Sequence, residues 1–372
     1  MPVTRRQVLR YRVHAQQLDR AERAGRSPDD AAILDLGVQD TGPDGSLWAL
    51  AVRGVPVTAR DWPRELALAW TVRGAPHAYR RADLRAVEKA LRPYSETDAA
   101  KRVITAAAPL ADAGIPVLDA LATVSRTMRE VVDEPLVKGE LSTRMTAEVG
   151  EPYVRWCAGC RATHMYEMTF RLAALHAGLE LEPGTSPPVL RRIPRWPAGQ
   201  VGVLDRPTEG DDGRLDLVRG LLHLLGPTTP RQAAVYLDST VRDVTARWPD
   251  DAVEVEVDGV RASMLDADLA ALEDPPDEPV VRLLGPYDLY LQSRDRNLVV
   301  PDKAHHKALW PTIGRPGGVL VDGDVVGTWR PRAKASTLAL ELDPWVPWSA
   351  TTRDAVEVEH ARLARFRGVT PA

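Results

Sequence analysis

The sequence predicts an α+β fold in which tandem winged-helix (helix-turn-helix) units precede a C-terminal β-rich, barrel-like domain. Residues 228–264 carry the clearest pattern: two short helices separated by a break, then alternating apolar residues around the hairpin turn Asp258-Gly259. That element order is typical of a winged helix. Strand patterns dominate from Val280 onward. The length of 372 residues favours two or three hydrophobic cores over one.

The first unit, residues 1–97, is predicted to be mostly helical. Thr4 is placed to cap its first helix, and Gly37 and the run 41–45 mark turns on either side of Gln39. The predicted elements are helices over Thr4–Ala24, Ser46–Arg53, Arg60–Leu68 and Ala78–Leu91 and a strand over Ala69–Val72.

The second unit, residues 98–198, ends in a segment over Glu182–Ala198 whose prolines and arginines suggest a linker or an extended arm. Its predicted helices are Ile115–Val131, Lys138–Met145 and Thr163–Ala177. In the third unit, residues 199–275, Thr229 and Pro230 form a strong helix start. The predicted elements there are helices over Leu215–Leu225, Arg231–Leu237 and Thr240–Trp248 and hairpin strands over Val253–Val257 and Val260–Met264.

The C-terminal domain, residues 276–372, is predicted to be built mainly of strands. The turn Asp322-Gly323-Asp324 separates two of them. The predicted elements are strands over Val319–Val321, Val325–Arg330 and Leu338–Leu342 and a closing helix over Arg353–Arg367.

The bulk composition is that of an ordinary globular protein, with 44% hydrophobic and 27% charged residues. No apolar run approaches the ~18 residues of a membrane span, and the N-terminus lacks the apolar core of a signal peptide. Two cysteines make no disulfide framework, so we expect a cytoplasmic protein. A net charge of −4 does not indicate nucleic-acid binding, but one basic face would suffice for it.

Four stretches, in this order, carry a family resemblance: Leu36-Gly37-Val38-Gln39-Asp40-Thr41 with Leu47–Arg53, then Trp70–His77, Gly285–Arg296 and Val321–Arg330. Together they resemble the winged-helix DNA glycosylases of the AlkZ/YcaQ type, which remove alkylated or cross-linked bases from DNA. The resemblance covers nearly the whole chain. It implies a monofunctional enzyme that hydrolyses the N-glycosidic bond of an alkylated purine in double-stranded DNA without a cofactor.

In the resembled enzymes the turn at Gln39 carries a glutamine and, two residues later, a second glutamine or an aspartate. The pair positions the hydrolytic water, and a carboxylate there stabilises the positive charge that develops on the sugar. Here the second position is Thr41, whose hydroxyl orients water but is no base at neutral pH. Asp40 would point to the opposite side of an extended turn. Gln39, Asp40 and Thr41 are the candidate catalytic residues; alternatively, Gln39 and Asp40 only satisfy backbone groups.

The candidate DNA-binding residues are of the types that contact phosphates. Some come from the resemblance and others from two polar helices that suit a recognition role, and the alternatives are structural turns and solvated helix faces. The set is Arg73, His77, Arg80, Lys138, Ser142, Thr143, Arg144, Arg242, Arg294 and Arg296. We expect Asp288 and Asp295 to pair with arginines and hold the C-terminal domain against the third unit.

Cys157, Cys160 and His164 form a weaker candidate for a metal site. Cys-x-x-Cys spacing suits zinc or a redox pair, but the sequence names no fourth ligand. Two buried cysteines flanking a tight turn are the simpler interpretation, so we expect no metal.

The expected partner is double-stranded DNA, bound by a monomer with no membrane attachment. The chain contains no glycine-rich phosphate loop, so no nucleotide cofactor is expected. Thr41 at the second catalytic position leaves a non-catalytic alternative, a winged-helix regulator or damage sensor. A less favoured alternative is a regulator that binds a small molecule without DNA.

Overall fold

The computed structural model describes residues 1–42, 44–205, 215–334 and 336–372, so Pro43 of the predicted turn lies outside the described residues. The chain divides into two compact units. Unit 1 comprises Met1–Leu66, Val218–Tyr236 and Trp248–Ala372, and unit 2 comprises Ala67–Leu217 and Leu237–Arg247. Both units mix helices and strands, which confirms the predicted α+β class.

The helices, in chain order, are α1 (Arg5–Ala15), α2 (Gly45–Ala51), α3 (Leu84–Ala90), α4 (Glu96–Val103), α5 (Ala107–Asp112), α6 (Val117–Val131), α7 (Lys138–Val149), α8 (Glu167–His176), α9 (Leu217–Leu225), α10 (Pro230–Leu237), α11 (Val241–Thr245), α12 (Leu269–Glu273), α13 (Arg296–Val299), α14 (His306–Leu309) and α15 (Ala350–Arg367).

The strands are β1 (Pro2–Val3), β2 (Val38–Gln39), β3 (Leu66–Trp70), β4 (Pro76–Arg80), β5 (Leu136–Val137), β6 (Val154–Cys157), β7 (Ala162–Met165), β8 (Leu179–Leu181), β9 (Val189–Arg192), β10 (Ala252–Val257), β11 (Val260–Leu265), β12 (Val281–Leu284), β13 (Gly317–Val321), β14 (Asp324–Lys334), β15 (Thr337–Pro344) and β16 (Thr370–Pro371).

Two of the sheets that the structure describes lie in unit 1. In the first, β10 and β11 pair antiparallel from Ala252↔Leu265 to Val257↔Val260, as the hairpin prediction requires, and β1 adds in parallel to β10. Val8 and Tyr11 of α1 and Met264 of β11 belong to the buried core beside this sheet. The second sheet has the order β12-β13-β14-β15-β16 and is open, curled into half a barrel. The predicted barrel-like domain is therefore a half-barrel.

Unit 2 is built on strands in the order β4-β3-β8-β9-β5. β8 pairs antiparallel with β3 and β9, and β9 with β5. α6 packs against α7 and α8. β6 and β7 form a separate two-stranded hairpin between α7 and α8. β9 lies in the segment that we expected to be a linker or arm, and its apolar Leu190 is buried.

Several predicted helices are wrong in type or length. Helix α1 ends at Ala15 rather than near Ala24, because Gln17 adopts a left-handed φ of 60° that a right-handed helix cannot contain. Residues 60–65 are not helical, and Leu66–Trp70 is a strand buried along its whole length, a pattern whose periodicity does not separate strand from helix. Three further helices are shorter than predicted. The helix predicted over Ala78–Leu91 is α3, the one over Thr163–Ala177 is α8, and the one over Thr240–Trp248 is α11.

Among the described residues, no single helix is long and apolar enough to cross a membrane. The bent pair Glu96–Asp112 and Val117–Val131 meets the length and composition test only when its two parts are joined.

Candidate functional site

The turn around Gln39 lies in unit 1, between the end of β2 and the start of α2. The Gln39 amide Nε2 donates a hydrogen bond to Thr41 Oγ1 at 3.0 Å, and both side chains are half-buried. The glutamine and the hydroxyl two residues later therefore form one polar pair. An amide and a hydroxyl together offer both donors and acceptors to a water molecule.

Asp40 is occupied by a different task. Its Oδ1 accepts hydrogen bonds from the Ser46 backbone N–H at 2.8 Å and the Ser46 hydroxyl at 2.9 Å. Asp44, at the N-cap position of α2, makes no capping bond, so Asp40 satisfies this helix end instead. Gly45 has a φ of +43°, and a Cβ there would lie 2.0 Å from Asp40 Oδ1. Glycine at 45 is thus required for this contact.

Helix α2 is held along its length by the C-terminal part of unit 1. Asp44 accepts from Arg367 Nε at 2.7 Å at one end of the helix. Trp48 is fully buried and donates to the Leu283 carbonyl at 2.7 Å. At the other end, Arg53 donates to both carboxylate oxygens of Asp288, at 2.7 and 2.9 Å, and both side chains are 0% exposed. The Gln39 turn is therefore attached to a rigid element.

The segment that contains Asp288 and Asp295 is structural. Asp295 forms a two-pronged pair with Arg12, at 3.0 and 2.6 Å. The same guanidinium donates to the carbonyls of Gly226 and Pro227, just before α10. The prediction that both aspartates pair with arginines is confirmed. Their arginines lie on α1 and just after α2, and Arg12 extends the contact to the predicted third unit.

Arg294 and Arg296 line a cleft of about 590 Å³ in unit 1, together with Thr229, Arg261 and His306. The Arg296 guanidinium lies 4.8 Å from the ring centre of Trp310. Burial, and then the neighbouring charge of Arg315, lower the pKa of Arg296 from its ordinary value. The cleft therefore presents several cationic groups beside the start of α10.

In unit 2, Arg73 sits in a tight turn between β3 and β4. Its φ of 58° is left-handed, which is uncommon for a residue with a side chain. Gly74 follows with a φ of +65°, and a Cβ there would lie 3.2 Å from the Met168 side chain. Arg171 donates to the Gly74 carbonyl at 3.0 Å. Arg80, at the end of β4, is half-buried and lies 3.5 Å from Asp83.

His77 lies inside unit 2 and is 0% exposed. Its Nδ1 is 3.0 Å from both Thr71 Oγ1 and the Ala75 carbonyl. Burial lowers the pKa of His77 to about 3, and the Arg73 charge acts in the same direction against the Ala75 hydrogen bond. The ring is neutral at physiological pH and braces the turn that carries Arg73. A direct phosphate contact would require it to leave the core.

This burial predicts a pH-dependent stability. The folded pKa of His77 lies below the ordinary value of 6.5, so the unfolded chain takes up the proton first and stability is lost as the pH falls from about 6.5 toward about 3. Between pH 7 and pH 5, the loss from this group is expected to be about 2 kcal/mol. Urea unfolding of the native chain and His77→Asn at both pH values measures it, with the half-exposed His305→Asn as control. Equal pH dependence in all three proteins would contradict the prediction.

Helix α7 presents its polar residues unevenly. Lys138 is half-buried and pairs with Glu167 at 2.7 Å, and the same Glu167 oxygen accepts from Arg171 at 2.5 Å. Burial opposes the charged form of Glu167, but these two hydrogen bonds lower its pKa overall. The start of α7 is thus linked through α8 to the Gly74 turn. Ser142 is half-buried, and the residues open to solvent are Thr143 and Arg144 of α7 and Arg242 of α11. Arg144 also pairs with Glu140.

The cysteines are not buried, so that expectation is wrong. Cys157 is half-buried and Cys160 is exposed, because the β6–β7 hairpin pairs only with itself and few of its residues are covered. Hydrogen bonds, first from the Cys160 backbone and then from His164, lower the pKa of Cys157 to about 7. The ligand atoms of Cys157, Cys160 and His164 lie within 4.8 Å of one another.

Two contacts of the site were not predicted. Ser46 is the partner of Asp40, and Glu167 with Arg171 links α7 to the Arg73 turn. The spacing of Glu167 and Arg171, four residues apart on a helix, indicated the pair itself. Nothing in the sequence indicated which loops it joins.

The stretch of sequence that builds this site is matched by a known family. The family model described as "DNA glycosylase AlkZ-like" matches residues 33–366, which includes the Gln39 turn and the segment with Asp288. The chain belongs to the AlkZ-like DNA glycosylase family.

A sequence comparison and a structure comparison both lead to AlkZ of Streptomyces sahachiroi. The "Interstrand DNA cross-link repair glycosylase" of Streptomyces sahachiroi is 29% identical over 185 residues, which are 47% of this chain and 48% of that protein. The alignment thus spans about half the length of the curated relative. The solved structure of Streptomyces sahachiroi DNA glycosylase AlkZ matches with a TM-score of 0.72 and 21% identity, over 100% of this chain and 98% of that one. This likeness shows a shared fold.

Proposed function

We propose that this AlkZ-like protein is a monofunctional DNA glycosylase that hydrolyses the N-glycosidic bond of alkylated purines, bulky or cross-linked ones included, in double-stranded DNA. The observation that carries the proposal is the Gln39–Thr41 hydrogen bond, at the turn where the resemblance to the AlkZ/YcaQ type leads us to expect the catalytic pair and which runs directly into the anchored helix α2. Side chains fixed by their neighbours are what a catalytic site needs.

Gln39 and Thr41 hold the attacking water, and Asp40 supports the turn by capping α2. N-alkylation gives the purine a positive charge. When the carbon–nitrogen bond breaks, the base keeps the bonding electron pair and leaves as a neutral molecule. The water oxygen then bonds to the cationic sugar carbon and loses its proton to solvent. A pair without a carboxylate suffices because the leaving group needs no protonation. The carboxylate that would stabilise the sugar cation is missing, which predicts a slower enzyme than one with aspartate at 41.

The DNA contacts are proposed for residues that reach solvent or line the cationic cleft. Thr143 and Arg144 of α7 and Arg242 of α11 are exposed. Arg73 lies in the turn that His77 braces, and Arg80 ends the strand that follows it. Lys138 positions the start of α7 through Glu167, and Ser142 is a further candidate contact on that helix. Arg294 and Arg296 contribute from the cleft in unit 1.

We further propose that α10, α11, β10 and β11 form a winged helix, since a short break separates the two helices and a hairpin follows. The corresponding units at 1–97 and 98–198, the third at 199–275 and the β-rich domain at 276–372 stay predictions. A monomeric state, a cytoplasmic location and independence from a nucleotide cofactor also stay predictions.

The second candidate function is a non-catalytic DNA-binding protein, a regulator or a damage sensor. Thr41 favours it, because a hydroxyl cannot replace the charge of a carboxylate.

Base release decides between the two functions. We expect the native protein to release N7-alkylguanine from double-stranded DNA well above the spontaneous rate, to leave an abasic site without strand cleavage, and to spare the undamaged duplex. Binding to the same duplex should weaken steeply with salt, because phosphate contacts release counterions. Tight, salt-dependent binding with release at the spontaneous rate would overturn the glycosylase proposal and support the regulator or sensor.

A further inference from the structure

The β6–β7 hairpin in unit 2 carries a group of metal-ligating side chains that base hydrolysis does not use. Cys157 ends β6, Cys160 lies in the turn, and His164 is on β7 opposite Arg155. One ligand atom from each lies within 4.8 Å of the other two. A tetrahedral zinc site, with metal–sulfur distances of about 2.3 Å, holds such atoms roughly 3.5–3.8 Å apart. A small rotation of these half-buried and exposed side chains would close the difference.

The histidine has the hydrogen bond that a metal ligand usually has. His164 Nδ1 lies 2.7 Å from the Met165 carbonyl, so the proton resides on Nδ1 and Nε2 keeps its lone pair. A backbone carbonyl that fixes the tautomer in this way is typical of ligating histidines. The ring orientation thus does not depend on a metal being present.

The hairpin also lacks a core of its own. Only Val154 and Met165 are buried in its two strands, and Trp156 is 65% exposed. Two-stranded hairpins are marginally stable without further support. A metal that joins the two strands at the turn would supply that support, because binding to a site that exists only when folded stabilises the folded form.

We propose that Cys157, Cys160 and His164 bind one Zn²⁺ at the turn of this hairpin and order it. The two thiols bind as thiolates and release two protons to solvent, the imidazole binds through Nε2, and water takes the fourth position. Two thiolates favour zinc over magnesium or calcium, which prefer oxygen ligands. Among the described residues this group has three members, so the metal is held by the hairpin alone.

Zinc uptake by the full-length chain tests the proposal. The reduced protein is stripped with a chelator and titrated with Zn²⁺ against a chromophoric chelator, and the stoichiometry is read by native mass spectrometry. We expect one zinc per chain. Cys157→Ser, Cys160→Ser and His164→Asn should each weaken binding by more than the roughly 10- to 100-fold that loss of an outer-shell partner costs. Thr163→Ala, exposed on the same hairpin, should leave affinity unchanged.

The chain has only two cysteines, so thiol alkylation reports on this site alone. Zinc should slow alkylation, and a chelator, but not a reductant, should restore it. No zinc uptake, or uptake that the Cys157→Ser chain retains, would overturn the proposal. Protection that a reductant reverses, with a mass two hydrogens lower, would show a disulfide instead. Circular dichroism of each variant, compared with the zinc-free native chain, separates loss of a ligand from failure to fold.

Discussion

Base release by Gln39→Ala is expected to fall by roughly 10²- to 10³-fold, because one preorganised polar group aimed at the reacting atoms contributes that much. Gln39 ends β2, its amide is fixed on Thr41 Oγ1 at 3.0 Å, and the following helix is held by buried partners. Alanine removes the amide without disturbing that frame. Single-turnover base release from an N7-alkylguanine duplex measures the effect. The affinity for the duplex at fixed salt should change by no more than about 3-fold, because a neutral side chain neutralises no phosphate and releases no counterion.

Two variants identify the partner of Gln39. Asp40→Asn keeps an Oδ1 acceptor for Ser46 but removes the charge, so we expect it to retain most of the activity. Thr41→Ala removes the hydroxyl beside the glutamine amide and should slow release, because that hydroxyl helps to orient the attacking water. If Asp40→Asn were as inactive as Gln39→Ala, the carboxylate would take part in the chemistry. If Gln39→Ala were fully active, the catalytic turn would be misassigned.

Replacing Asp288 with alanine is expected to lower the free energy of unfolding by about 3–5 kcal/mol, because it leaves the charge of Arg53 buried without its partner. Both side chains are 0% exposed. Arg53 would keep its bonds to the carbonyls of Gln16 and Ala49, which accept but do not neutralise it. Tyr290 would also lose the acceptor for its backbone N–H. Urea unfolding measures the change.

The control is Glu341→Ala, which breaks a pair with Arg332 whose side chains are 53% and 66% exposed. Solvent screens such a pair, so its loss should cost less than about 1 kcal/mol. The double variant Arg53→Met with Asp288→Leu should lose less stability than Asp288→Ala, because it leaves no buried charge. A small effect of Asp288→Ala, similar to that of Glu341→Ala, would contradict the assignment of this pair as the anchor of α2.

The fold was predictable wherever hydrogen bonds join residues that are close in sequence. Thr229 caps α10 as expected, through a bond to the Gln232 N–H at 3.2 Å, and Asp258-Gly259 turns the β10–β11 hairpin. Prediction failed where tertiary pairing overrides the local pattern. The apolar run of β3 gains its partner from Leu181, and a sequence-distant strand leaves no mark on local periodicity.

The candidate site was predictable as a set of positions and not as a set of roles. Gln39 and Thr41 are two residues apart, so an extended turn brings them to one side, and the alternation predicted a different direction for Asp40. His77 is of a residue type that contacts phosphates, but it is buried inside unit 2. Free cysteines are usually buried, but these two lie on a solvent-facing hairpin. Burial depends on what packs over a residue, which its neighbours in sequence do not state.

By itself the sequence determined the α+β class, the family and the hairpin that follows α11, because short motifs and alternating apolar residues are local properties. The tertiary structure alone decided that Asp40 serves Ser46, that Asp288 holds Arg53 from 235 residues away, and that Cys157 and Cys160 lie outside the core. A buried guanidinium needs a carboxylate, but many carboxylates along the chain could satisfy it. Only packing selects the one that arrives beside it, and with that selection α2 and the Gln39 turn become rigid.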